Sequence, residues 1–141
     1  MFVKDGDFVE VVIYYKPVGK HYEVYSKLDF EKLELKEEEL NKYKKVTIKM
    51  RELTWGLYND FQEYASEYDA EGNRRFNYKR YKELRLVKLI VQWDATMTKN
   101  DRITHVPVNE QSIRCLAPEI AETILSAYDE VMYVSEDEEG K

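Results

Sequence analysis

One cysteine, two histidines, three prolines and five glycines are a sparse supply, in 141 residues, of the types that build disulfides, metal sites and phosphate loops. Cys115 has no second thiol to pair with, so no internal disulfide forms, and a reducing, cytosolic-type compartment is the simple expectation. His21 and His105 lie among different neighbours, and the chain offers too few nitrogen and sulfur donors at suitable spacing for zinc. The glycines are scattered and make no phosphate-cradling loop. No apolar run approaches the ~18 residues of a membrane span. Residues 1–7 contain no apolar segment of signal-peptide type. Positive charge is also short: 22 Lys and Arg stand against 28 Asp and Glu, a net charge of −6. Both nucleic acid and anionic membrane call for a positive field, so neither is an expected general partner.

Catalytic groupings are equally thin. The carboxylates are many, but the sequence embeds no pair of them in apolar surroundings as acid–base partners need. Cys115 sits between Arg114 and Leu116 with no histidine close in sequence. A Cys115–His105 pair is geometrically open, but a buried structural thiol is the expected state. The expectation is a protein without enzymatic activity, cofactor or metal.

What the chain has in quantity is hydrophobic residues (43%), charge (35%) and tyrosine, twelve of them against five phenylalanines. Tyrosine has an apolar body and a polar tip, so it suits the rim of a small core or a partner surface. The length fits one domain large enough to bury a core without staples. Residues 7–15 are β-branched and aromatic and read as a strand. Residues 16–20 hold Pro17 and Gly19 and make the turn, and residues 21–28 return as a second strand. Tyr22, Val24 and Ser26 face one way along it, with Glu23, Tyr25 and Lys27 on the other. Residues 29–43 are mostly charged, with room for one helical turn at 36–41. Residues 45–51 alternate cleanly, Val46, Ile48 and Met50 against Thr47, Lys49 and Arg51, and predict a sheet with one buried face.

Helical signals follow. Thr54 is a good N-cap for a helix over 55–68 with Leu57, Phe61, Tyr64 and Tyr68 on one face. Gly72 breaks it. A second helix runs from 75 or 77 to Trp93 and is apolar nearly all round from Leu84, as a core hub would be. Residues 94–108 form a long connection without periodicity, of the kind that is functional or mobile. Asn109 caps a segment over 110–116, and Pro118 starts a last helix to about Met132 with Ile120, Ile124, Leu125, Tyr128, Val131 and Met132 on its apolar stripe. The predicted class is α+β: a small antiparallel sheet (the N-terminal hairpin plus a third strand, with room for a fourth) and then a three- to four-helix C-terminal bundle. It forms one domain over 1–134, mainly β to 53 and mainly α after it. Residues 135–141 are an acidic tail with a disordered composition.

Arg74, Arg75, Lys79, Arg80, Lys82, Arg85 and Lys88 make a basic stripe interleaved with Phe76, Tyr78 and Tyr81. Basic plus aromatic is the flavour of a nucleic-acid surface. At helical spacing the same cations pair with Glu71, Glu83 or the acidic tail, and a solvated helix face is the usual explanation.

One resemblance reaches further. The order in residues 46–132 is a Leu53-Thr54-Trp55 helix start, Ile90-Val91-Gln92-Trp93-Asp94, a polar loop, Val106-Pro107-Val108-Asn109-Glu110, and Ile113-Arg114-Cys115-Leu116-Ala117-Pro118-Glu119-Ile120. This resembles small tail-assembly proteins of tailed bacteriophages; residues 7–28 are not accounted for by it. The resemblance implies a non-enzymatic chaperone or adaptor that holds tape-measure or tail-tube subunits soluble in the host cytoplasm until they polymerise, by covering an aggregation-prone helix or edge strand. It implies phage tail proteins as partners, with self-association left open, and a contact surface of Trp55, Tyr58, Tyr64 and Tyr68, with Met97 and Ile103 from the long loop. Two alternatives remain beside it: a structural tail or baseplate component of the virion, and an acidic viral protein that inhibits a host factor.

Overall fold

The computed structural model describes residue 3 and residues 6–134; the tail expected at 135–141 lies outside the described residues. Strand β1 (Phe8–Val18) is the spine of the sheet. It carries on through Pro17, and the hairpin turn is only Gly19 and Lys20, with Gly19 at φ +63. Strand β2 (His21–Ser26) pairs back on it, Ile13 opposite Ser26 and Val18 opposite His21. Strand β3 (Lys44–Arg51) runs along the other side of β1, with Ile13 opposite Val46 and Val9 opposite Met50. The alternation in residues 45–51 thus becomes the buried face that it predicts: Ile48 and Met50 are fully buried beside Val11 and Ile13.

The second strand is shorter than the sequence suggests. Ser26 accepts a hydrogen bond from the Asp29 backbone N–H (3.2 Å) and caps a six-residue helix α1 (Lys27–Lys32), which the sequence reading missed. Helix α1 lays Phe30 on the back of the sheet, stacked on Tyr14 at 4.1 Å between ring centroids, with Tyr43 edge-on at 4.9 Å. Glu23 closes this small aromatic core. It accepts from the Tyr25 hydroxyl at 2.6 Å and the Tyr43 hydroxyl at 3.2 Å, and pairs with Lys16 at 3.3 Å. Helix α2 (Glu37–Leu40) is the expected single turn.

Two tyrosines are consequently held neutral. The hydrogen bond to Glu23 pushes Tyr25 up to about 12, and burial does the same to Tyr128, whose hydroxyl donates to the Arg51 carbonyl at 3.0 Å. An unfolded tyrosine ionises near pH 10. A group whose folded value is raised contributes stability that is complete below about pH 10 and lost as pH climbs through about 12. Alkaline unfolding followed by circular dichroism should therefore set in across this window, and Tyr25→Phe should make stability fall less steeply within it. An unchanged slope in the variant would refute the assignment.

Helix α3 (Trp55–Tyr64) starts as expected, with Thr54 Oγ1 accepting from the Leu57 N–H at 3.1 Å, but it stops four residues before Tyr68. Tyr68 belongs instead to a small hairpin of β4 (Ser66–Tyr68) and β5 (Arg74–Phe76). Asn77 then caps helix α4 (Tyr78–Leu89), accepting from the Arg80 N–H. The largest departure follows. The run 84–93 is not one helix: at Ile90 the backbone turns extended (φ −70, ψ 123), and β6 (Ile90–Trp93) joins the edge of β3 as a fourth strand. Ile90, Val91 and Trp93 are good strand residues, and β3 supplies an unpaired edge to receive them. A register shift opposite Lys49 and Met50 leaves Val91 as an extra residue. Without it Ile90 and Trp93, three apart, would point to opposite faces; the bulge turns both into the core. Asp94 finishes the edge by accepting from the Thr47 N–H at 2.8 Å.

The sheet order is β2-β1-β3-β6, antiparallel throughout. The connection expected at 94–108 holds a hairpin, β7 (Thr96–Lys99) and β8 (Arg102–His105), turning through Asn100 and Asp101, both at positive φ. Asn109 and Ser112 form a capping box at helix α5 (Glu110–Arg114). Pro118 opens helix α6 (Pro118–Asp129), which passes into a π-helical turn, Glu130–Val134. Helix α6 lies across β1 and β2 with Ile124, Leu125 and Tyr128 buried, while Val131 of the expected stripe is exposed. The class is α+β, but the helices do not make a C-terminal bundle. Among the described residues only α3, α4 and α6 reach seven residues, because the most apolar stretch is spent on a strand.

Candidate functional site

Aromatic side chains that the core leaves over gather where α3, the β4–β5 hairpin and α4 meet. Tyr81 is the centre. Its ring lies 6.4 Å from buried Phe61, 5.3 Å from Phe76 and 6.1 Å from Tyr78, and Phe76 and Tyr78 are 5.8 Å apart. Burial raises the Tyr81 phenol; the Arg85 guanidinium opposes this, and the nearby Tyr58 and Tyr133 phenols add to the rise. The rings of Phe61, Phe76 and Tyr78 are thus neighbours of Tyr81, and Phe76 and Tyr78, like Tyr58 and Tyr133, are exposed. The cross-strand register places Tyr68 and Arg74 on the same hairpin face as Phe76 and Ser66. Monomers seldom leave contiguous apolar surface of this kind uncovered.

The six residues singled out from the sequence divide between two places. Trp55 is 80% exposed and stands one helical turn before Tyr58 on α3; Tyr64 (66%) and Tyr68 (72%) are exposed at the end of α3 and on β4. Met97 and Ile103 are on the β7–β8 hairpin and do not face the same way. Thr98 pairs with Ile103 and Met97 with Thr104, so their side chains leave opposite faces. Met97 lines a cleft with Trp93, whereas Ile103 is 78% exposed. Phe76, Tyr78 and Tyr81, read from the sequence only as part of a basic stripe, are the centre of the aromatic face. Tyr78 and Tyr81 at i, i+3 and Phe76 just before the Asn77 cap were the available signal.

The stripe's cations are largely engaged, with acids other than Glu71 and Glu83; the expected tail partners lie outside the described residues. Arg75 pairs with Asp69 (3.8 Å), Arg80 with Glu67 (3.4 Å), Lys82 with Glu122 (2.6 Å) and Arg85 with Asp129 (2.5 Å), while Glu83 takes Arg114 (3.0 Å). Arg74 is tied to Ser66 Oγ through two nitrogens at 2.9 and 2.7 Å.

Cys115 is exposed, contrary to the buried thiol expected, because it is the C-cap of the five-residue α5. The histidines are apart in role. His105 Nε2 lies 2.8 Å from the Trp93 carbonyl, and His21 lies 3.4 Å from Glu119. Among the described residues no group of three or more His, Cys, Asp or Glu is placed to hold a metal ion. No helix among them is long and apolar enough to cross a membrane. No protein-family model, no curated protein and no solved structure matches this chain.

Proposed function

We propose that this chain is a non-enzymatic assembly chaperone or adaptor, which covers an apolar surface of a protein partner with the aromatic face around Tyr81. The observation that supports the reading is the clustering of exposed Phe76 and Tyr78 on Tyr81, with exposed Tyr58 on the adjoining helix α3. Tyrosine and other aromatic anchors dominate binding energy at protein interfaces, and their rigid rings lose little entropy on docking. The resemblance in residues 46–132 supplies the partner class: a tail component of a tailed bacteriophage, held soluble in the host cytoplasm before assembly. The ion pairs beside the rings fit a polar rim.

Co-expression tests it. A tail-tube or tape-measure protein should be soluble with the wild-type chain and sediment with a Tyr58→Ser/Phe76→Ser/Tyr78→Ser variant. Anchors of this type contribute about 2 kcal/mol or more each, about 30-fold in affinity. The variant's own circular dichroism and melting should stay close to wild type, since all three rings are exposed. A variant that still keeps its client soluble would remove the aromatic face from the reading. Mass spectrometry of purified particles is the second arm: stoichiometric copies in mature virions would favour a tail or baseplate subunit. Docking through the N-terminal hairpin is the less supported route, because the Tyr22 N–H of edge strand β2 is already directed at Glu119 (3.3 Å).

A further inference from the structure

Behind the core-facing side of the sheet, between its Tyr15–Tyr22 end, the start of β7 and the α5–α6 junction, lies an open cleft of about 530 Å³. That volume is in the range of small-molecule sites. Its chemical character is unusual for this chain. Charged residues make up 35% of the sequence, yet none of the 19 residues lining the cleft is charged. Ile13, Val46, Trp93, Leu116 and Ile120 supply apolar wall, and the Trp93 indole is fixed by donating to the Val106 carbonyl at 2.7 Å. Of the polar lining groups, Asn109 and Ser112 are consumed by the capping box. The Tyr15 and Tyr22 hydroxyls and the Gln111 carboxamide have no hydrogen-bond partner among the described residues. Burial, then the neighbouring Tyr22 phenol, raises Tyr15, so it offers a proton at neutral pH.

We infer that this cleft is a binding site for an uncharged, largely apolar small molecule carrying one or two hydrogen-bonding groups. This goes beyond the proposed function, which rests on the aromatic face of α3, the β4–β5 hairpin and α4, none of whose residues line the cleft. An anion or cation entering the cleft would shed water and meet no counter-charge, which is costly. An apolar molecule releases water from Ile13, Val46, Leu116 and Ile120 and meets phenol and carboxamide groups only at the wall. An extended peptide is the poorer occupant, since it needs backbone partners and the outward Tyr22 N–H of the adjoining strand is taken by Glu119.

The chain carries its own reporters. Cys115, its single cysteine, lines the cleft, and in a Trp55→Phe variant Trp93 is the one remaining indole. The full chain with that substitution is titrated with N-phenyl-1-naphthylamine, a neutral apolar fluorophore. The expected result is saturable enhancement at one probe per chain, with Trp93 emission falling in step. Alkylation of Cys115 by N-ethylmaleimide should slow about tenfold at a free probe concentration of about ten Kd, since about one site in eleven is then open. Adding Ala117→Phe, which puts a ring into the cleft wall, should abolish the enhancement. Should that variant fail to fold, Cys115→Phe on the exposed C-cap serves the same purpose. Absence of saturable binding would overturn the inference. So would binding that survives the cleft-filling variant and disappears with Tyr58→Ser/Phe76→Ser/Tyr78→Ser, because the probe would then be on the aromatic face.

Discussion

Trp93→Ala should lower unfolding free energy by about 3–5 kcal/mol, the usual cost of truncating a large buried aromatic. Domains of this size are stable by about 5–15 kcal/mol in total, so the variant should be marginal at room temperature. Three losses coincide at this residue. The indole is only 3% exposed and stands opposite Ile48 at the centre of the core. Its Nε1 donates to the Val106 carbonyl, which would be left without that donor. Its carbonyl also receives His105, so Trp93 holds the base of the β7–β8 hairpin from both its side chain and its backbone. Urea unfolding followed by circular dichroism measures the change, and hydrogen exchange should show lost protection across 96–105. Trp93→Phe keeps the ring but loses the donor, and should fall between wild type and Trp93→Ala. A shift below about 1 kcal/mol for Trp93→Ala would contradict this placement of the residue in the core.

Asp129→Leu should destabilise by about 2–3 kcal/mol, whereas Arg85→Met combined with Asp129→Leu should cost much less. The side chain of Arg85 is only 12% exposed, pressed between the Tyr81 and Tyr128 rings with its guanidinium carbon 5.7 Å from each centroid. Its Nη2 donates to Asp129 at 2.5 Å, while Nε is buried with no partner. Removing the carboxylate leaves a nearly buried cation with two aromatic faces as its remaining support. Fully buried pairs lose about 3–5 kcal/mol when one partner goes, and the half-exposed Asp129 brings the expected figure below that. Removing both charges takes away the unmatched Nε as well, and an apolar pair of similar volume suits the Tyr81–Tyr128 wall. A double-mutant cycle read by denaturant midpoint gives the coupling. A double variant worse than Asp129→Leu alone would show that Arg85 is held by its rings and not by its counter-ion.

How far the sequence reached depended on whether one segment carried its own signal. Residues 45–51 alternate, so the pleat and its buried face were readable from that stretch alone. The caps at Thr54 and Asn109 and the proline start at Pro118 are local chemistry, and each appears where expected. The run 84–93 was different. Apolar all round, it gives the same pattern for a buried helix and for a helix followed by a buried strand. What decides is the free edge of β3, some forty residues earlier in the chain. The hairpins β4–β5 and β7–β8 are solvent-exposed and bury almost nothing, so they write no alternation into the sequence. Asn100-Asp101 between Thr96-Met97-Thr98 and Ile103-Thr104 was nevertheless a usable turn signal, since both turn residues tolerate positive φ. The aromatic face was half legible: Tyr58 could be placed on α3, but only the β4–β5 hairpin brings Phe76 to it.

The strand order carries a cost during synthesis. Strands β1, β2 and β3 are complete once Arg51 has been made, but the edge of β3 is paired only after Trp93, and the core face is covered only after Asp129. At about 5–20 residues per second, the ribosome leaves that edge open for about 2–8 s and that face incompletely covered for about 4–16 s. The three-stranded nascent sheet, with Val11, Ile13, Ile48 and Met50 uncovered, is therefore the stage at which crowded polysomes most readily lose this chain to aggregation. Slowing translation between codons 52 and 93 should lower its soluble yield.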